Sequence, residues 1–321
     1  MVTVSGKAAW GAPGSANRRL AIVHPSEPPQ NLTRANGNLV GNTLRRLEKS
    51  GFVEGQTLEI ERYCALGSTD MLRTLAAAAV QSHPDVILAI SGKTVSELKR
   101  LTDTVPIVGV MSDPVAYGVV SSLSHPGGNV TGASVDPGID IWVKRMALLK
   151  EAVPELKRVF FVAPDTTWTT SVGRSVRAAA GTIGVELVGP PVENPHHETD
   201  YAKAFFGVAD RAEAVLVSSA AENRTFGPQI VKLAEASRLP ALFPYRNYVV
   251  EGGLMAHDID LTDIWNRVAD QIVGIFKGDK PGDLPIYQPK RFRFVINMAA
   301  AKAIDFEFSR NLIAMADEVL D

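Results

Sequence analysis

The amino-acid sequence predicts an α/β protein of two doubly wound lobes, each built on a parallel sheet. Short apolar runs alternate with longer helical patterns, which is typical of parallel strands joined by crossover helices. This alternation occurs twice, before and after residues 109–135, which contain the breaker cluster Pro126-Gly127-Gly128-Asn129. The 321 residues are enough for two domains of ordinary size. A ligand cleft is expected between the lobes, where strand carboxyl ends and helix amino ends converge.

Composition limits the classes of function. The chain is 45% hydrophobic and 21% charged, which is ordinary for a globular protein and excludes global disorder. A formal net charge of −2 gives no sign of a nucleic-acid surface, so no nucleic-acid partner is expected. The single cysteine, Cys64, excludes an intrachain disulfide and a cysteine-rich metal site. We expect neither a metal nor a cofactor.

The first half of the chain begins with residues 19–24, a short apolar run that ends at Pro25-Ser26, as a buried parallel strand would. Residues 38–50 carry apolar side chains at helical spacing and stop at Gly51, a helix-ending glycine. The same criteria predict strands at 57–63, 85–90 and 106–111, helices at 69–81 and 96–102, and a helix-like apolar segment at 115–123.

The second half repeats the alternation. Its first helix, 139–152, stops before Pro154, and the helix at 170–183 closes at Gly184. Further elements are predicted as strands at 158–162, 185–188, 214–217 and 241–243 and as helices at 197–208 and 226–237.

The tail departs from this pattern, with a glycine-led strand at 252–257 and a long amphipathic helix at 261–277. A strand at 292–296 and helical pieces at 299–304 and 312–319 follow a Gly/Pro loop. We therefore expect the chain to recross between the lobes. The expected division is a flexible leader at 1–17, an N-terminal lobe of 18–130 plus 254–285, and a C-terminal lobe of 131–253 plus 286–321.

Several short stretches occur together in a recognisable order. They are Gly51-Phe52-Val53-Glu54-Gly55-Gln56, Ser91-Gly92-Lys93-Thr94, Ser112-Asp113-Pro114-Val115, His125-Pro126-Gly127-Gly128-Asn129-Val130-Thr131-Gly132 and Gly278-Asp279-Lys280-Pro281-Gly282-Asp283-Leu284-Pro285. As an ordered set they resemble the ABC-transporter substrate-binding protein family whose characterised members bind tryptophan, tyrosine or phenylalanine.

The resemblance implies a type I periplasmic-binding-protein fold, with two lobes, three crossover segments and a cleft that closes about a hinge. It implies an extracytoplasmic or periplasmic protein that is not an enzyme, a monomer whose partners are a small ligand and the permease transmembrane subunits of an ABC importer. The implied ligand is an aromatic amino acid or a related aromatic carboxylate. Family members usually carry an export signal, often lipoprotein-like with a cysteine, and no such signal occurs in this chain.

Two other functions remain open from the residues. One is a ligand-binding sensor with the same fold. The other is a small-molecule α/β enzyme, against which the absence of GxSxG and HExxH motifs argues.

The first lobe offers a carboxylate-binding turn at Ser91-Gly92-Lys93-Thr94, between a strand and a helix. Backbone N–H groups at a helix start and the hydroxyls of Ser91 and Thr94 suit an anion, and Gly92 would let a ligand approach the backbone. The resemblance also implies an amino-acid carboxylate near this turn. The alternative is an ordinary helix cap by Ser91 or Thr94.

Four further candidates end strands of the first lobe. Ser112 and Asp113 follow one strand, where the Asp113 carboxylate would either bind a ligand ammonium or cap the next helix. His24 and Ser26 follow the first strand, and His24 is either a ligand contact or a structural histidine.

The second lobe offers candidates after its own strands. Thr166 supplies a hydroxyl, while the indole of Trp168 would either line a slot for a planar ligand or cover the following helix. The remaining candidates are Ser219, the ring of Tyr245 for stacking, and Asp258 as a second possible partner for an ammonium.

Overall fold

The computed structural model describes residues 17–36, 39–115, 117–135, 138–193, 196–208, 211–259 and 261–321. Apart from residue 17, the predicted leader lies outside these residues. None of the helices within these ranges is long and apolar enough to cross a membrane.

Strands and helices alternate through most of the described chain. The strands are β1 (Arg18–His24), β2 (Leu58–Cys64), β3 (Val86–Ile90), β4 (Ile107–Met111), β5 (Val130–Ser134), β6 (Arg158–Val162), β7 (Glu186–Val188), β8 (Ala214–Val217), β9 (Ala241–Phe243), β10 (Met255–Ile259), β11 (Phe292–Asn297) and β12 (Glu318–Leu320). The helices are α1 (Leu39–Lys49), α2 (Thr69–Gln81), α3 (Gly92–Leu101), α4 (Ile139–Ala152), α5 (Asp165–Thr169), α6 (Ser171–Ile183), α7 (Glu198–Phe206), α8 (Ala221–Thr225), α9 (Gly227–Ala236), α10 (Arg246–Val250), α11 (Leu261–Phe276), α12 (Met298–Ala303) and α13 (Arg310–Met315).

The first sheet has the strand order β2-β1-β3-β4-β5, and all its strands are parallel. Successive side chains of β1 point to opposite faces, so Leu20 and Ile22 pack with α1, whereas Ala21 and Val23 pack with α2 and α3. Both faces are therefore covered by helices, which explains why the strands are apolar throughout instead of alternating.

The second sheet has the order β12-β11-β10-β9-β8-β6-β7. Its strands are parallel except where β10 meets β11 in antiparallel pairing. Aromatic side chains fill its core: the rings of Trp142 and Phe161 meet edge to face at 6.0 Å, and those of Phe160 and Phe205 at 5.1 Å.

The chain passes between the lobes three times: after β5, after β10, and before β11. Helix α11 directly follows β10 of the second sheet in sequence but packs against α1 and β5 of the first lobe. The two-lobe α/β class is thus confirmed, while two boundaries differ from those expected. Residues 131–134 pair within the first sheet and residues 255–259 within the second, each on the opposite side of its predicted boundary.

Strand β5 was absent from the prediction because its sequence, Val130-Thr131-Gly132-Ala133-Ser134, has no apolar run. Tertiary structure forms it instead: every residue of β5 is buried, and Gly132 adopts a φ of +137° beside Gly109 of β4. A Cβ on Gly132 would lie 1.9 Å from the Gly109 carbonyl oxygen, so only glycine permits this close pairing.

Three other local predictions were wrong. The described residues of 115–123 form turns and bends instead of a helix, because Gly118 has a left-handed φ of +66° that a helix does not accommodate. Helix α3 begins at Gly92, four residues before the predicted 96, because Ser91 caps it directly. In the tail, the helix predicted over 312–319 ends at Met315, and β12 then pairs with β11.

The Gly109–Gly132 contact yields a stability prediction. Gly132→Ala should lower the free energy of unfolding by at least about 2 kcal/mol, because the added methyl must separate β5 from β4. Gly181→Ala is the matched control, since a Cβ at this exposed position of α6 meets nothing within 4 Å and alanine favours helix. Urea denaturation of both variants measures the difference, and equal stability would contradict the packing argument.

Candidate functional site

Each sheet reverses its strand order at one point, between β1 and β3 in the first sheet and between β6 and β8 in the second. At such a point the connecting helices leave toward opposite faces, which opens a crevice at the carboxyl ends of the strands. Here both crevices face the same gap between the lobes. The gap is a cavity of about 750 Å³, lined by residues that follow β1, β3 and β4 on one side and β8, β9 and β10 on the other.

His24 ends β1 and lines this cavity with only 7% of its surface exposed. Burial lowers the pKa of His24 to about 3, so its ring is neutral at physiological pH. The Nδ1 atom accepts the backbone N–H groups of Ser26 at 3.2 Å and Glu27 at 2.9 Å. The ring proton is therefore on Nε2, which leaves His24 as a neutral hydrogen-bond donor on the cavity wall.

Ser91 joins β3 to α3 with a φ of +85°, a conformation that L residues rarely adopt. Its Oγ accepts the N–H of Thr94 at 3.2 Å and lies 2.9 Å from the Thr94 hydroxyl. Serine is held in this strained position because its hydroxyl caps the helix. The N–H groups of Gly92 and Lys93 in the first turn of α3 have no acceptor within the helix.

Gly92 contacts an aromatic ring. A Cβ on Gly92 would lie 2.6 Å from the ring of Tyr117, so the glycine makes room for that ring. Gly92 therefore has a packing role, and the expectation that a ligand approaches its open backbone stays a prediction. Tyr117 also lines the cavity, and it is a residue that the sequence did not single out.

The structure brings eight of the twelve sequence-predicted site residues together on the cavity wall. They are His24, Ser91, Gly92, Ser112, Thr166, Ser219, Tyr245 and Asp258. The other four, Ser26, Thr94, Asp113 and Trp168, do not line the cavity.

The four residues outside the lining have structural contacts. Thr94 is fully buried beneath Ser91, while the Asp113 carboxylate accepts the N–H of Val115 at 3.1 Å, as a turn-capping residue does. The Trp168 ring packs against Phe161 at 5.4 Å, in the core of the second lobe. Ser26 hydrogen-bonds across the cleft, its Oγ lying 2.8 Å from Oγ1 of Thr225.

Ion pairs occupy most charged groups on the second-lobe wall. The Asp258 carboxylate accepts the N–H of Arg246 at 2.9 Å and the Arg293 guanidinium at 3.0 Å. Arg246 also donates its Nε–H to Glu318 at 2.7 Å, and this hydrogen bond lowers the pKa of the Glu318 carboxyl below its ordinary value. Asp258 is thus already neutralised by its own lobe.

Two ionisable residues of the wall were missed by the sequence analysis. Lys93, on the first lobe, donates to the hydroxyl of Thr69 at 2.7 Å. Burial lowers the pKa of Lys93, and this effect outweighs the negative charges of Asp165 and Glu222, which raise it. Glu222, on α8 of the second lobe, is 8% exposed. It lies three residues beyond Ser219, so extending the search past the strand end into the following helix would have found it.

The lobes also touch away from the cavity. The ring Nδ1–H of His196 donates to the carbonyl oxygen of Gly67 at 3.3 Å, joining the second lobe to the first. The described residues contain no group of three or more His, Cys, Asp or Glu side chains able to hold a metal ion. The arrangement is suited to enclosing a small polar molecule by hydrogen bonds and charge.

Two buried histidines yield a pH prediction. Burial lowers the pKa of both His24 and His257 from 6.5 to about 3. Between these values the unfolded chain binds more protons, so the free energy of unfolding should fall as pH falls, by up to about 1.4 kcal/mol per pH unit for each ring. Urea denaturation at about pH 7 and about pH 5 measures the slope.

The variant His257→Phe should reduce that slope by about one proton, because it removes one of the two rings. Phe206→Leu, at an exposed position without an ionisable group, is the control and should leave the slope unchanged. A slope that His257→Phe does not alter would contradict the assignment.

Comparison with known proteins relates this geometry to a family. The family model of the ABC transporter substrate binding protein matches residues 37–320. A tyrosine-binding protein from Clostridioides difficile (strain R20291) is 24% identical over 270 residues, covering 82% of this chain and 75% of that protein.

Two solved structures share the fold. An ABC domain in complex with L-Trp from Streptococcus pneumonia aligns with a TM-score of 0.79 at 21% identity, covering 95% of this chain and 100% of that one. A conserved domain protein from Vibrio cholerae aligns with a TM-score of 0.81 at 24% identity, covering 94% and 99%. The matching family model describes a substrate-binding protein. With the family model covering nearly its whole length, this chain belongs to the ABC transporter substrate-binding protein family.

Proposed function

We propose that the protein captures an aromatic amino acid, or a related aromatic carboxylate, outside the cytoplasmic membrane and delivers it to an ABC importer. The observation that carries the proposal is the interlobe cavity, whose wall combines residues of both lobes with the aromatic rings of Tyr117, Tyr245 and Trp265. The tyrosine-binding relative and the L-Trp complex support the same ligand class.

The cavity supplies the interactions that such a ligand needs. The uncapped N–H groups at the start of α3 and the nearby Lys93 suit a carboxylate. The tyrosine and tryptophan rings offer flat apolar surfaces, and Tyr245 is fixed by donating its hydroxyl to the Ser219 carbonyl at 3.3 Å. A planar side chain between such rings gains roughly 0.5–1.5 kcal/mol beyond the area that it buries.

The mechanism is closure of the two lobes around the ligand. A ligand that contacts both walls stabilises the closed arrangement, which is the form a permease would recognise. Two direct contacts between the lobes, Ser26–Thr225 and Gly67–His196, would add to the stability of the closed arrangement. A ligand-binding sensor would use the same motion. Binding of the closed protein to the permease of an ABC importer would distinguish transport from sensing.

Aromatic selectivity is the first test. Phenylalanine, tyrosine or tryptophan should bind at least tenfold more tightly than leucine, a difference of about 1.4 kcal/mol. Tyr117→Leu should remove much of this preference, because it takes one ring off the wall. Trp168→Leu is the matched control and should keep the preference, since its ring lies outside the cavity. Calorimetry measures both, and a wild-type preference for leucine would refute the aromatic assignment.

Closure is the second test. Saturating ligand should compact the protein in small-angle scattering and raise its melting temperature. His196→Ala should weaken ligand binding about fivefold, the value of roughly one hydrogen bond, without touching the cavity. The ligand-free melting temperature of His196→Ala controls for damage to the second lobe. Identical scattering with and without ligand would indicate a rigid cleft.

A further inference from the structure

We propose that Glu222 binds the ammonium group of a zwitterionic amino-acid ligand, so that the cavity selects amino acids over carboxylic acids that lack an amine. The inference rests on the proposed function and names the group that defines the ligand class. It differs from the sequence analysis, which assigned an ammonium to Asp113 or Asp258.

The position of Glu222 suits this role. It lies on α8, directly after β8 reaches the crevice, and 92% of its surface is buried while the residue lines the cavity. Within the ranges that the structure describes, its carboxylate makes no hydrogen bond and no ion pair, and its oxygens are not sealed inside the protein. A carboxylate largely removed from water is costly unless a cation or donors meet it.

The other acidic groups on the wall are already engaged. Asp258 accepts from Arg246 and Arg293, and Glu318 pairs with Arg246. Glu27, on the first lobe, accepts the side-chain amide of Asn31 at 2.8 Å. Among the described residues, Glu222 is therefore the wall carboxylate whose oxygens accept no hydrogen bond from the protein.

The cationic side chains of the wall also divide into those that form an ion pair and one that does not. Arg224 pairs with Glu251 at 2.9 Å, and Arg246 and Arg293 pair with carboxylates of the second lobe. Lys93 donates to a neutral hydroxyl, and among the described residues no carboxylate lies within ion-pair distance of its ammonium. The cavity thus holds a positive group on the first lobe and a negative group on the second, neither matched by an ion pair in the described chain.

A zwitterion matches this pattern. Its carboxylate would meet Lys93 and the start of α3, and its ammonium would meet Glu222 on the facing lobe. The two charges of one small ligand would then hold the lobes together. The ligand carboxylate pairs with one lobe and its ammonium with the other, so the bound ligand links the two lobes across the cleft. A carboxylic acid without an amine would leave Glu222 buried and unmatched.

The experiment compares an amino acid with two analogues by calorimetry. The probes are phenylalanine, 3-phenylpropanoate, which lacks the amine, and phenylalaninamide, which lacks the carboxylate charge. Leucine with 4-methylpentanoate forms a second, aliphatic pair. The wild-type protein should bind phenylalanine at least tenfold more tightly than either analogue.

Three variants separate the charges. Glu222→Gln should weaken phenylalanine at least tenfold and leave 3-phenylpropanoate unchanged or tighter. Lys93→Met should remove the preference over phenylalaninamide while keeping that over 3-phenylpropanoate. Glu235→Gln removes an exposed carboxylate on α9 of the same lobe, outside the cavity lining. It is the matched control and should alter neither preference by more than about twofold.

The outcomes distinguish the two proposals. Equal weakening of phenylalanine and 3-phenylpropanoate by Glu222→Gln would show a structural role and overturn the inference, as would no effect at all. A wild-type protein that binds both aromatic compounds equally would also overturn it, while leaving aromatic binding intact. If only the leucine pair binds and Glu222→Gln removes its amine preference, the inference stands and the aromatic assignment falls. Binding of neither pair contradicts both.

Discussion

The carboxyl ends of the parallel strands of two sheets face one another across a single gap, and the rest of the structure follows from this arrangement. Parallel strands place all their following turns at one edge, and the helices that start there have N–H groups without intrahelical acceptors. A chain of two such lobes concentrates hydrogen-bond donors at their interface. The three passages of the chain between the lobes hold those edges opposed across the cavity.

Charge on the cavity wall is arranged by lobe. The three arginines on the second-lobe wall are matched by Glu251, Glu318 and Asp258, so this part of the wall is fixed by its own ion pairs. Such pairs rigidify a surface but leave little capacity for a ligand. In the described part of the wall, Lys93 and Glu222 lie on facing lobes and neither takes part in an ion pair, which is why we propose that a ligand's two charges meet there.

Several wall residues are held in place at a conformational or electrostatic cost. Ser91 adopts a φ of +85° because its hydroxyl caps α3. His24 is neutral because burial lowers its pKa, and two backbone N–H groups that donate to Nδ1 fix its proton on Nε2. Both end adjacent strands at the point where the first sheet reverses its order. Strain and desolvation are tolerated there because the surrounding sheet determines the backbone, and they leave polar groups oriented toward the gap.

The sequence by itself determined the class of fold, because strand and helix periodicity are local properties of the chain. The elements β6, β8, β9, α2 and α4 have the bounds that their residue patterns predict. Tertiary structure decided what the pattern could not. Strand β5 exists because Gly132 admits a neighbouring backbone, Trp168 turns into the core because Phe161 lies beside it, and Glu222 reaches the cavity through a short helix after β8. Proximity to a strand end selects candidates, but the direction of a side chain depends on neighbours that are distant in sequence, and only the folded chain brings those together.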